Sequence, residues 1–138
     1  MIHYVLDACA LVALFKGEEG AADVDDLFQK TVRGDALLYM SIVNLLEVYY
    51  GFIRDIGLAK TTEMMQKITD TPLNVIDAIT QNVYHKAAYL KGTYQRLSLA
   101  DALGVATAIE HDAVFVTSDH HELETVEQKE SLKFYWFR

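Results

Sequence analysis

Runs of four or five mostly apolar residues alternate along this chain with longer stretches of helical period. HYVL (His3–Leu6), ALLYM (Ala36–Met40), LNVI (Leu73–Ile76), AVFV (Ala113–Val116) and KFYWF (Lys133–Phe137) lack a sustained polar face and read as short buried strands. Between them, helical patterning predicts helices over Ala8–Phe15, Ala21–Thr31, Ile42–Arg54, Leu58–Thr69 and Leu99–Glu110. Asp77 is a candidate cap for a further helix running to about Lys91, and a short turn of helix is expected after Asp119. Gly17, Gly57 and Gly92 interrupt the pattern, Ser41 can cap the third helix, and Pro72 introduces the LNVI strand.

This alternation implies an α/β fold of three layers, a mainly parallel sheet covered by helices on both faces, because right-handed crossovers place the helices there. In such sheets a ligand crevice lies beyond the carboxyl ends of the strands. Acidic residues in apolar surroundings gather at those positions. Asp7 ends the first strand and can cap the helix that follows. Ser98-x-x-Asp101 imitates a capping box, and Asp119 follows AVFV through Thr117 and Ser118, where turn and capping residues are ordinary. Glu47, within SIVNLLEVYYGF, has no Lys or Arg three or four residues further along its helix.

Each acid alone has an ordinary structural role, but the four together do not. Two leave strand ends and two lie on helices that can face the same crevice. Two carboxylates about 5 Å apart repel by roughly 3 kcal/mol at an effective dielectric near 20. A cluster of four therefore calls for a cation. Oxygen ligands of this kind suit Mg²⁺ or Mn²⁺, which keep several waters and take further ligands from phosphate oxygens, the chemistry of phosphodiester hydrolysis.

Composition narrows the picture. The 138 residues are expected to form one domain over 1–138, large enough to bury a core without disulfide or structural metal. Cys9 is the only cysteine and lies in an apolar run, as expected of a buried thiol in a reducing compartment. The opening MIHYVLDACALVALF has no basic leader, is interrupted by Asp7 and is too short to span a bilayer, which points to a cytoplasmic protein without a membrane partner. A net charge of −8 argues against loose nucleic-acid binding over the whole surface. Locally, however, no acid occurs between Asp77 and Asp101, where Lys86, Lys91 and Arg96 are interleaved with Tyr89 and Tyr94. That segment reads either as an RNA-binding track or as a solvated helix face. Adjacent His120 and His121 make a poor chelate, while Tyr49, Tyr50 and Phe52 suit a subunit interface.

Asp7 in YVLDACALVALF, Glu47 in SIVNLLEVYYG, Asp101 in LSLADALGVATAIEH and Asp119 in AVFVTSD resemble, in order and spacing, the four acidic positions of PIN-domain ribonucleases, especially VapC-like toxins. The resemblance spans essentially the whole chain. It implies a PIN-like five-stranded parallel sheet and Mg²⁺ or Mn²⁺ held by Asp7, Asp101 and Asp119. It further implies metal-dependent endonucleolytic cleavage of RNA, a homodimer, and a cognate antitoxin that blocks the site. Ser41 and Thr117 match supporting hydroxyl positions. Two departures bear on the number of metals: Cys9 replaces a common Asn or Ser, and His120, His121 and Glu122 stand where a further Asp is often seen. A non-catalytic PIN-like module that binds RNA or protein is the alternative, against which the complete acidic quartet speaks. No phosphate-binding glycine motif points to a nucleotide enzyme.

Overall fold

A computed structural model describes all residues, 1–138. The elements follow the order β1 (Ile2–Leu6), α1 (Ala8–Lys16), α2 (Ala21–Val32), β2 (Ala36–Ser41), α3 (Ile42–Ile56), α4 (Leu58–Thr69), β3 (Asn74–Ile76), α5 (Gln81–Thr93), α6 (Leu99–Glu110), β4 (Val114–Thr117), α7 (His120–Lys129) and β5 (Phe134–Trp136). All strand pairings are parallel, in the order β3-β2-β1-β4-β5. β1 is thus the central strand, with Tyr4 opposite Leu38 on one side and Val114 on the other.

Side chains of successive strand residues point to opposite faces, so each central strand feeds two cores. Tyr4, Leu6, Leu38, Met40 and Val116 pack with α1, α2 and the buried faces of α3 and α4. Val5 and Phe115 point the other way, into a core closed by α5, α6 and α7. α6 is buried nearly all round from Ala100 to Ala108, which is why its sequence lacks a polar stripe. No helix is long and apolar enough to cross a membrane.

The expected elements form, with shifted edges and one displaced start. Asp77 does not cap α5: Thr80 does, its Oγ1 accepting from Val83 N at 3.2 Å. The buried positions Val83, Ala87 and Leu90 begin one turn later than Asp77 would place them, so packing sets the start. Gly92 lies within α5 and not beyond it. Ser41 closes β2 and also caps α3, accepting from Val43 N at 3.3 Å. Phe52 is buried in the first core, whereas Tyr50 of the expected interface cluster remains exposed.

Candidate active site

β1 and β4 end side by side in the middle of the sheet, and their last residues deliver Asp7 and the Thr117–Asp119 turn to one place. Asp7 is only 4% exposed. Its Oδ1 accepts from Ala8 N at 2.7 Å, capping α1, and its Oδ2 accepts from Thr117 Oγ1 at 2.7 Å. Asp101 enters from the first turn of α6, where Ser98 Oγ accepts from Asp101 N at 3.0 Å. Asp119 caps α7 through His121 N at 3.3 Å, and its own N donates to Thr117 Oγ1 at 3.1 Å. Glu47 reaches in from the second turn of α3. Asp7, Glu47, Asp101 and Asp119 line one cleft of about 370 Å³, together with Ala8, Cys9, Arg96, Ser98, His121 and Glu122.

Electrostatics register the crowding. Burial, and then the Glu47 charge, push the Asp7 carboxyl up to about 6 against the hydrogen bonds from Thr117 and Ala8. Burial raises Asp101 to about 7, followed by the charges of Asp7 and Asp119. Glu47 is raised by burial and then by Asp101. None of the molecule's ion pairs involves these four residues. A set of hard oxygen donors whose neighbours disfavour their charge fits a small divalent cation, which removes the repulsion on binding. No three of them are drawn tightly enough together to enclose an ion by themselves. Such an arrangement suits Mg²⁺ or Mn²⁺, which engage one or two carboxylates directly and others through water.

The supporting residues divide. Thr117 is fully buried and orders both Asp7 and Asp119. Ser41 does not reach the acids and acts at the start of the helix that carries Glu47. Burial and the adjacent Asp7 charge push the Cys9 thiol up to about 11, in keeping with an unreactive cysteine. Among the basic candidates only Arg96 lines the cleft. Lys86 lies 3.5 Å from Glu130 and over the Tyr89 ring, and Lys91 donates to Gln95 O at 2.9 Å. His120 stacks on Trp136 at 4.3 Å and is held between Glu124 and Arg138 O, away from His121 at the cleft.

Two contributors escape a reading of acids and periodicity. Arg138 ties the Asp119 turn to the opposite rim: its Nη2 donates to Ser118 Oγ at 3.0 Å and its Nη1 to Glu18 Oε1 and Glu19 O. Gly20, at φ 86°, allows this seating, since a Cβ there would lie 2.5 Å from the Phe137 ring. Nothing local to Arg138 announces the contact, which spans 20 residues to Ser118 and 120 to Glu18. The other is Asn44, fully buried, whose Nδ2 donates to both Asp7 Oδ1 and Glu47 Oε1 at 3.4 Å. Its signal is the position one turn before Glu47 on the same helix face.

Solved structures share this architecture. VapBC2 from Rickettsia felis, bound to a DNA fragment from their promoter, superposes with a TM-score of 0.76 at 18% identity over 97% of this chain and 98% of that one. DNA-bound VapBC from Salmonella typhimurium gives 0.74 at 14% identity, covering 100% of both chains. Mycobacterium tuberculosis VapC20, a Sarcin-Ricin loop cleaving toxin, gives 0.65 at 15% identity over 88% of this chain and 94% of that one. No curated protein matches the sequence. The PIN domain profile matches residues 4–128, from the first buried strand residue to the last turn of α7. The chain belongs to the PIN domain family.

Proposed function

We propose that this chain is a Mg²⁺- or Mn²⁺-dependent endoribonuclease, the toxin of a toxin–antitoxin pair, with Asp7, Glu47, Asp101 and Asp119 as its catalytic acids. One observation carries the reading: Asp7, Glu47, Asp101 and Asp119 line one cleft, with no ion pair to a basic side chain. RNA as substrate is supported by the similarity to VapC20, and an antitoxin by the similarity to the VapBC complexes. Ile42, Leu46 and Tyr50, exposed at i, i+4 and i+8 on α3, favour a homodimer, each subunit one domain over residues 1–138.

When bound, the divalent ion supplies a water of lowered pKa and offsets charge building on the phosphate oxygens. Asp7, Asp101 and Asp119 would hold it. Thr117 keeps Asp7 from swinging by donating to Oδ2. Glu47, in the same cleft, orients the attacking water toward phosphorus. Arg96 is the only Lys or Arg among the cleft residues and holds the substrate phosphate against the acids.

Asp101→Asn tests this directly. It keeps the side chain's shape while removing one charge from the cleft, so the melting temperature should hold or rise. Metal-dependent cleavage of structured RNA should fall by about two orders of magnitude or more, the scale of lost electrostatic stabilisation. Loss of folding in the variant, with no metal-dependent cutting by the wild type, would return Asp101 to a purely capping role.

A further inference from the structure

We infer that Asn44 and Gly104 form a coupled positioning pair at the acidic cleft, holding the Asp7 carboxylate, with Glu47 beside it, in the orientation on which divalent-ion affinity depends. The inference rests on the metal site proposed above and concerns residues outside the acidic quartet. Asn44 is completely buried, and its Nδ2 spans the two carboxylates at 3.4 Å each. The amide must face this way, since Oδ1 turned toward two carboxylates would be repelled. Its Oδ1 is thereby left without a hydrogen-bond partner. A buried polar atom in that state costs about 1–3 kcal/mol, so stability alone does not account for an amide here.

Charge accounts for it. A lysine at this place would neutralise the carboxylates and compete with the cation, whereas a neutral donor fixes both and leaves their charge intact. The seat for the orphaned oxygen is Gly104. A Cβ at Gly104 would lie 2.7 Å from Asn44 Oδ1 and 3.0 Å from the Phe115 ring. Glycine in the middle of a helix costs about 1 kcal/mol relative to alanine, and α6 is otherwise rich in alanine. Gly104 is therefore the residue that admits both the amide and the buried Phe115 ring. α3 and α6, which bring Glu47 and Asp101, are locked in register at this contact.

The test measures Mn²⁺ uptake by the full chain, from the electron paramagnetic resonance of free Mn²⁺, beside thermal melts followed by circular dichroism. Asn44→Leu removes both donors at similar volume. It should remain folded, with an unchanged or raised melting temperature, and bind Mn²⁺ about tenfold or more weakly, as expected when a group orienting a ligand is lost. Gly104→Ala should weaken Mn²⁺ binding in the wild-type background by displacing the amide. In an Asn44→Ala background, where there is no amide to displace, it should weaken Mn²⁺ binding almost no further, any loss of stability against the Phe115 ring being common to both backgrounds. Wild-type Mn²⁺ affinity in folded Asn44→Leu, or equal losses of Mn²⁺ affinity from Gly104→Ala in both backgrounds, overturns the pair while leaving the metal site standing. A wild-type protein that takes up no Mn²⁺ overturns the metal site and this inference with it.

Discussion

Burial and mutual repulsion make Asp7 and Asp101 reluctant to ionise in the folded chain, with a measurable consequence. Both carboxyls titrate near 3.8 when exposed, and folding moves them to about 6 and about 7. Between those limits the folded protein retains protons that the unfolded chain has lost, so the contribution of these groups to stability is present below about pH 4 and declines as pH rises toward 7. Urea denaturation of the metal-free protein across that range, in a chelating buffer, should show the decline. Asp101→Asn should flatten it, and a wild-type slope identical to that of the variant would contradict the crowded site. At the same residues an ordinary role coincides with the proposed chemical one. Asp7 and Asp119 do cap helices, and Asp101 does receive the Ser98 cap.

At the level of elements, the capping roles explain how repelling acids are tolerated. α1, α6 and α7 all begin at the cleft, and their first-turn N–H groups offset part of the negative charge placed there. Ser98→Ala should therefore lower stability by about 1 kcal/mol, read as a fall of a few degrees in melting temperature. An unchanged melting temperature would show that the cap adds nothing at the start of α6. Most of this layer was legible in the sequence, because apolar runs and capping residues mark strands and helix starts locally. Thr80 supplanted Asp77 because tertiary burial of Val83 chose the helix start. Glu47 has no basic partner along its helix because its partner is a neutral amide one turn earlier, which charge patterning does not mark. The Arg138 clasp was invisible since its partners are distant in sequence and reach it only through the sheet order.

For the whole molecule, a net charge of −8 leaves little room for diffuse attraction to RNA, so binding should rest on few contacts and depend weakly on salt. Arg96→Ala, assayed by fluorescence anisotropy without divalent ions, should reduce the slope of log affinity against log salt by about one. Lys86→Ala should leave it unchanged, because Glu130 already engages that ammonium. A larger effect from Lys86 than from Arg96 would move the RNA path onto α5. The position of β1 bears on how such a chain comes into being. The strand that carries Asp7 is made first and can pair with β2 early, but its other edge waits for β4, and Thr117 reaches Asp7 across 110 residues. A growing polypeptide therefore possesses no acidic cleft until Asp119 has left the ribosome. The proposed activity would then be withheld from the growing chain, and from the message it is read from, until synthesis is nearly done.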